Sequence, residues 1–186
     1  RLAKVRRVSA RGPTALSLEL ARMSTRKVRR SVFVAVPGNT AAMASAAMGA
    51  ARAGGYLLAL SGAPGNAVQK WVKVHASRSI VVAGKKELSN ADAAALRRPV
   101  RLGAQDPVVR AARIAGLGPR RGEAILVDNA RVMAAAAAAA SRRPVLFVAG
   151  KTGNAKALRF LQTSPAISTL LSVGATPSAL TAARRA

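Results

Sequence analysis

The residues that could do chemistry in this 186-residue sequence are overwhelmingly basic. The chain carries 31 Lys and Arg against only 6 Asp and Glu, which gives a formal net charge of +25 at pH 7. Arg outnumbers Lys by 23 to 8, and a guanidinium group makes planar, bidentate contacts with phosphate. Like charges at this density repel one another, whereas binding to a polyanion releases condensed counterions. The composition therefore predicts a protein that binds a polyanion.

The basic residues cluster in doublets, mostly in loops or at the ends of predicted helices. From there long side chains can reach a phosphate backbone without disturbing the core. Some would instead interact with the C-terminal ends of helix dipoles, but their number exceeds what capping requires. The residues predicted to bind RNA are Arg6, Arg7, Arg11, Arg26, Lys27, Arg29, Arg30, Lys70, Lys73, Lys85, Lys86, Arg97, Arg98, Arg120, Arg121, Arg142, Arg143, Lys151, Arg184 and Arg185.

Catalytic groups are scarce in this sequence. His75 is the only histidine and cysteine is absent, so a two-histidine metal site and thiolate chemistry are excluded for this chain. Asp128 ends a predicted strand, where its expected role is to help cap the next helix. The loop at 150–154 resembles a P-loop, but Val145 stands where that motif needs glycine. The sequence predicts a protein that is not an enzyme and has no cofactor, catalytic residue or metal ligand.

A recurring unit would position the basic residues. Apolar, β-rich runs at 31–36, 56–60, 79–83, 124–127 and 145–149 each precede a turn, an asparagine and a helix-prone stretch. Continuously apolar strands are expected where helices cover both faces of a sheet. The pattern predicts an α/β fold with a mainly parallel, or mixed, sheet of about five strands flanked by Ala-rich helices. The asparagines, which are strong N-caps, are Asn39, Asn66, Asn90, Asn129 and Asn154.

Three regions are predicted along the chain. Residues 1–30 form a basic arm and a first helix, 31–162 form the α/β domain, and 163–186 form a C-terminal helical tail. The uncharged stretch 31–51 is long enough to span a bilayer. It contains the sequence Pro37-Gly38-Asn39-Thr40, however, so we interpret it as strand, turn and buried helix and expect no membrane partner.

The layout of the first hundred residues resembles the ribosomal stalk-base (L-ten) family of the large subunit. The resemblance rests on a helix at 18–30, a strand at 32–36, the run Asn39-Thr40-Ala41-Ala42-Met43, and Ala-Gly-Gly-Tyr at 53–56. The resemblance extends to a strand at 79–83 and to the segment 158–165, which is followed by a helix at 167–171. The resemblance implies contacts of the N-terminal half with ribosomal RNA. A C-terminal helix at 177–186 would recruit small acidic stalk proteins.

Together these observations predict a structural rRNA-binding protein of a ribosomal large subunit that neutralises phosphate and stabilises rRNA, with neighbouring ribosomal proteins as partners. The first thirty residues hold ten basic side chains and one acid, Glu19, a composition typical of organellar transit segments. A mitochondrial ribosome is therefore expected, with another organelle or a cytoplasmic ribosome as alternatives. The alternative functions are an RNA-modifying or nucleotide-dependent α/β enzyme and a nucleoid DNA-binding protein.

Overall fold

The computed structural model of the chain describes residues 8–24, 28–118, 120–128, 142–148 and 155–186. Within these residues helices and strands alternate along the chain, as the recurring sequence unit predicts. The strands are β1 (Arg30–Ala35), β2 (Tyr56–Ala59), β3 (Ala76–Val81), β4 (Pro99–Arg101), β5 (Gly122–Asp128), β6 (Val145–Val148) and β7 (Ile167–Val173). The helices are α1 (Gly12–Met23), α2 (Thr40–Ala53), α3 (Asn66–His75), α4 (Asn90–Ala94), α5 (Pro107–Ala115), α6 (Ala155–Gln162) and α7 (Pro177–Arg185).

The strands form two parallel sheets. The first has four strands in the order β2-β1-β3-β4, and the second has three in the order β6-β5-β7. All the strand pairs are parallel. The prediction of an α/β fold with a mainly parallel sheet is thus confirmed, but the predicted strands divide between two sheets. β4 and β7 lie outside the five predicted runs.

The two sheets repeat one arrangement. β1 lies between β2 and β3, and β5 lies in the same way between β6 and β7. Each central strand is preceded by a helix with proline in its first turn, Pro13 in α1 and Pro107 in α5. Proline fits there because the first amides of a helix have no intrahelical partner. The chain therefore builds the same supersecondary unit twice.

Helix α2 packs against both sheets. Its Ala42, Ala46 and Ala50 belong to the core around Phe33 of β1. Its Ala44 and Met48 belong to the core of the second sheet. Positions 42, 46 and 50 recur every four residues and so share one helix face. Small side chains on both faces let the backbone of α2 approach two layers of apolar residues.

The asparagine caps follow the prediction only in part. Asn39 is the N-cap of α2, and its side chain accepts a hydrogen bond from the Ala42 amide at 2.9 Å. Asn66 and Asn90 are instead the first helical residues, and Gly65 and Ser89 are the N-caps. Ser89 caps α4, because its hydroxyl accepts a hydrogen bond from the amide of Asp92, three residues later. Two further predicted caps, Asn129 and Asn154, lie outside the described residues.

Two predictions about the ends of the chain differ from the structure. The first helix covers Gly12–Met23 instead of 18–30, because a proline at position 13 starts it early. The segment predicted as a helical tail contains a seven-residue strand, β7, whose partner is β5, before α7 begins. β7 includes the stretch 167–171 that the stalk-base resemblance makes a helix. Its Ser, Thr and Leu side chains are mostly exposed, so no apolar run marks it in the sequence.

Among the described residues no helix combines the length and the hydropathy that a bilayer crossing requires. The uncharged stretch 31–51 is divided between β1 and α2, as the sequence analysis predicts.

Candidate anion-binding surface

Several of the predicted RNA-binding arginines donate to backbone carbonyls near the C-terminal ends of helices. Arg30 reaches the carbonyl of Gly54 at 2.6 Å, at the end of α2. Arg29 donates to the carbonyl of Val74 at 2.9 Å, and Arg97 donates to that of Lys73 at 3.2 Å, both in the last turn of α3. These carbonyls lack intrahelical partners and carry the negative end of the helix dipole. The three arginines therefore stabilise the fold.

Two further arginines, which are not among the predicted binding residues, also donate to backbone carbonyls. Arg52, in the last turn of α2, donates to the carbonyl of Ala115 at 2.6 Å, the last residue of α5. Burial lowers the pKa of the Arg52 guanidinium from its ordinary value. Arg101 donates to the carbonyls of Ala83 and Leu88, both at 2.8 Å. Arg52 thereby ties a helix beside the first sheet to the helix that leads into the second.

Arg110, in the middle of α5, is the largest fully buried side chain, with 1% of its surface exposed. Its Nε donates to the carbonyl of Ala104 at 3.0 Å, and its Nη1 lies 3.4 Å from the Oδ1 of Asn39. Glu87 accepts hydrogen bonds from the Asn39 side chain and, at 2.6 Å, from the Gly84 amide. This buried network lies where the loops after β1, β3 and β4 meet. No sequence signal distinguishes Arg110 from the exposed arginines, because Asn39 and Glu87, with which it interacts, are distant in the chain.

The network changes the titration of its charged members. Burial by itself would raise the pKa of Glu87, but the hydrogen bonds from Asn39 and Gly84 and the charge of Arg110 hold that pKa below its ordinary value. Burial lowers the pKa of Arg110, and the charges of Glu87 and Asp106 oppose that effect. The positive charge of Arg110 is therefore balanced by carboxylates of the chain itself, and its buried guanidinium is not accessible to a ligand.

The other carboxylates also have internal roles. Asp106 caps α5 by accepting from the Val108 amide at 2.8 Å, and Asp92 accepts from the Ser89 hydroxyl at 2.8 Å. Glu123 forms an ion pair with Arg143 at 2.5 Å, and Glu19 forms one with Arg22. Asp128 also interacts with another group of the chain. The few acids are thus engaged within the chain, which leaves most of the exposed positive charge unopposed.

The remaining predicted binding residues lie on the surface or outside the described residues. Arg6, Arg7, Arg26, Lys27 and Lys151 belong to the second group, together with the loop at 150–154. Arg143 is exposed but paired with Glu123. The exposed side chains are those of Arg11, Lys70, Lys73, Lys85, Lys86, Arg98, Arg120, Arg121, Arg142, Arg184 and Arg185.

Two grooves gather three or more basic side chains each. One, of about 390 Å³, lies between α3 and α4 and is lined by Lys70, Lys73 and Arg97. The other, of about 260 Å³, lies between α5 and α6 and is lined by Arg113, Arg120, Lys156 and Arg159 with Phe160. Of these last residues only Arg120 was predicted from the sequence. The others stand singly in the chain, so the doublet pattern did not reveal them.

His75, the single histidine of the sequence, lies in an aromatic cluster. Trp71 is buried and makes an edge-to-face contact with Tyr56, with ring centroids 5.1 Å apart. His75 lies against the same indole at 5.2 Å. In the part of the chain that the structure describes, no group of three or more His, Cys, Asp or Glu could hold a metal ion.

The comparisons with known proteins find similarity at the level of the fold. No family model and no curated protein matches the chain by sequence. The solved structure of Cwp6 from Clostridium difficile superposes with a TM-score of 0.74 and 12% identity, over 88% of this chain and 28% of that protein. Cwp8 from the same organism gives a TM-score of 0.78 and 17% identity, over 97% of this chain and 33% of that protein. The chain thus spans about a third of each.

These similarities correct the functional prediction. Cwp6 and Cwp8 are bacterial cell wall proteins and not ribosomal proteins. They contradict the predicted rRNA-binding function, the mitochondrial location, and the predicted partners, which were ribosomal RNA, ribosomal proteins and acidic stalk proteins. The error has a physical cause: a high density of arginine identifies a polyanion as partner but does not say which one. At 12% and 17% identity the comparisons show that this chain shares the fold of these two cell wall proteins.

Proposed function

We propose that the chain is a bacterial cell-surface module that binds an anionic polymer of the cell wall and catalyses no reaction. One observation carries the proposal: 88–97% of a chain with a net charge of +25 shares its fold with two cell wall proteins. The walls of many bacteria contain polymers with repeating phosphate or carboxylate groups. Such a polymer supplies the polyanion that the composition calls for.

The distribution of charge supports a polymer as the ligand. The carboxylates are engaged in caps, ion pairs and the Glu87 network. The exposed basic groups are spread over both halves of the chain, from Lys70 near α4 to Arg185 at the end of α7. An extended polyanion can contact many such groups at once, and each contact adds a modest, salt-sensitive attraction.

The surroundings of the titratable side chains support the absence of catalysis. A general base needs a group within hydrogen-bonding reach of its substrate and with a pKa near the working pH. Glu87 has its pKa lowered and its oxygens engaged by Asn39 and Gly84. His75 is partly buried against Trp71. Neither is arranged to exchange a proton with a bound molecule.

Binding to purified cell walls tests the proposal. Walls of a Gram-positive bacterium are divided into an untreated portion and a portion from which hydrofluoric acid has removed phosphodiester-linked polymers. The folded chain is added to each, and the bound fraction is measured in a salt titration. We expect retention on untreated walls that falls with increasing salt, because exposed charge interactions are screened.

The control is a stripped wall with its peptidoglycan intact. Much weaker retention on the stripped wall supports an anionic polymer as the ligand. No retention on either portion, or retention that does not fall with salt, would contradict the proposed function. Equal, salt-sensitive retention on both portions would exclude a phosphodiester-linked polymer as the ligand and indicate a carboxylate polymer.

A further inference from the structure

The groove between α5 and α6 has the character of a specific site on the basic surface. Its walls carry Arg113 from α5, Arg120 from the segment after α5, and Arg159 from α6, all with exposed side chains. No carboxylate is among the residues that line this groove. Three guanidinium groups therefore surround one open volume of about 260 Å³ without an acidic partner in its lining.

The position of Arg120 is fixed by two neighbours. Its guanidinium carbon lies 5.3 Å from the centroid of the Phe160 ring, a cation–π distance. On the other side its Nη2 lies close to Gly116, where a Cβ atom would approach it to 3.3 Å. A side chain held in this way loses less conformational entropy when it binds a ligand. Arg120 is thus preorganised, unlike a freely moving surface lysine.

The floor of the groove is apolar. Val109 and Ala112 of α5 and Phe160 of α6 contribute to the lining. A floor of this kind suits the carbon skeleton of a sugar or polyol, while the arginines on the walls suit the charged groups that link such units. Guanidinium groups bind phosphate through paired hydrogen bonds, which ammonium groups do not reproduce.

We infer that the α5–α6 groove binds a phosphodiester-linked sugar or polyol segment through Arg113, Arg120 and Arg159. This inference rests on the proposed function and names the site and the ligand class for it. Arg120 and Arg159 contact the phosphate, and Phe160 contacts the carbon skeleton. The groove between α3 and α4 is less suited, because its lining holds one guanidinium, that of Arg97, against three in the α5–α6 groove, and Lys70 and Lys73 lack the bidentate geometry. Arg97 and Arg113 each also donate to one backbone carbonyl.

The test compares variants that remove equal charge at different places. In the Arg120→Gln/Arg159→Gln variant two positive charges leave the groove. The Lys85→Gln/Lys86→Gln variant loses two exposed charges elsewhere. The probe is a short glycerol-phosphate oligomer, and an oligogalacturonate of matched charge serves as the carboxylate comparison. Affinities are measured by calorimetry on the whole chain.

We expect the groove variant to lose about 10- to 100-fold in affinity for the glycerol-phosphate oligomer, as the loss of two charge-assisted contacts implies. The lysine control should lose less than about threefold, because a distant exposed charge is strongly screened. The Arg120→Lys/Arg159→Lys variant keeps the charge and should still bind clearly more weakly than the parent chain. This lysine variant also tests the role of the groove if the glutamine variant fails to fold.

Three results would overturn the inference. Equal losses in the groove and control variants would indicate diffuse attraction without a site. Parent-like binding by both arginine variants would exclude the groove. Equal or tighter binding of the oligogalacturonate by the parent chain would overturn the phosphodiester assignment. In each case the parent chain may be retained on untreated cell walls, so failure of the inference is distinguishable from failure of the proposed function.

Discussion

The two sheets of this protein follow the same strand order, but the arginines around them are used differently. Around the first sheet, Arg29, Arg30 and Arg97 donate to backbone carbonyls at helix ends. Beside the second sheet, Arg120 and Arg159 line an open groove. The same residue type therefore closes helix ends in one half and is available to a ligand in the other. Arginine content alone does not measure binding capacity.

The difference follows from where the arginines stand in each unit. Arg29 and Arg30 immediately precede or begin the central strand β1, beside the C-terminal ends of α2 and α3. The carbonyls exposed there attract a cation. Arg113 and Arg159 instead lie on exposed faces of their helices and line the groove. Arg113 also donates to the carbonyl of Gly103 at 3.3 Å, which lies in a loop and not at a helix end. Substitutions that remove arginine from each place should therefore affect different properties.

The largest effect is expected for Arg110→Ala. The change removes a fully buried side chain and its hydrogen bond to the Ala104 carbonyl, and truncation of a large buried side chain costs about 2–5 kcal/mol of the free energy of unfolding. The measurement is equilibrium unfolding in urea. Arg113→Ala, three residues onward in the same helix but exposed, is the matched control and should cost less than about 1 kcal/mol. Similar costs for the two variants would show that the buried contacts of Arg110 do not stabilise the fold.

A second prediction concerns the packing of α2 between the sheets. Ala46→Leu adds volume at a fully buried position and should lower the free energy of unfolding by about 1–3 kcal/mol, because an overpacked core must shift its neighbours. Ala53→Leu, at the exposed end of the same helix, should change it by less than about 0.5 kcal/mol. If thermal denaturation gave equal values, α2 would not be confined on both sides.

Glu87→Gln should have a smaller and pH-dependent effect. A carboxyl whose pKa is lower in the folded state contributes stability above its unfolded pKa and loses it as the pH falls through the folded value. We expect the variant to be less stable than the parent chain by about 1–2 kcal/mol at neutral pH. The difference should shrink below pH 4.5, the ordinary pKa of the group.

Urea unfolding at a series of pH values measures this difference. Glu19→Gln, which removes an exposed carboxylate, is the control and should show no comparable pH dependence. A Glu87→Gln effect that stayed constant down to acid pH would mean that hydrogen bonding, and not charge, accounts for the role of Glu87.

The smallest effect separates the two uses of arginine directly. Arg30→Ala removes a charge-assisted hydrogen bond to the Gly54 carbonyl and should cost about 1 kcal/mol of stability, with little change in binding of the glycerol-phosphate oligomer. Arg120→Ala should do the reverse, because its side chain is exposed and lies over the Phe160 ring. Thermal denaturation and calorimetry on both variants measure the two properties. If each variant lost both stability and affinity, the structural and the binding arginines would not be distinct groups.

The sequence was sufficient for the fold class because apolar strand runs and helix-prone stretches are local patterns. It was not sufficient for the number of sheets. Helix α2 has alanine on nearly every face, so its periodicity does not show that Ala46 faces one sheet and Ala44 the other. β7 was missed because its apolar residues, Ile167, Leu170, Leu171 and Val173, are interrupted by Ser and Thr and form no continuous run.

The candidate site was predictable only in part, for a related reason. Clustered charge is visible in the sequence, and it led to Arg120. The partners that occupy other arginines are distant: Arg29 contacts Val74, 45 residues away, and Arg52 contacts Ala115, 63 residues away. Only the tertiary structure shows which cations are engaged. The identity of the polyanion is likewise not contained in the charge.

Helix α2 also limits how this protein could have changed over time. Because α2 lies in the first half but contributes Ala44 and Met48 to the core of the second sheet, the second half has no complete apolar core without the first. An exchange of one half between related genes would need a compatible helix surface on the half that remains. Gene duplication could create the two similar halves, but recombination thereafter would preserve them as a pair. The inherited module is then the pair of sheets.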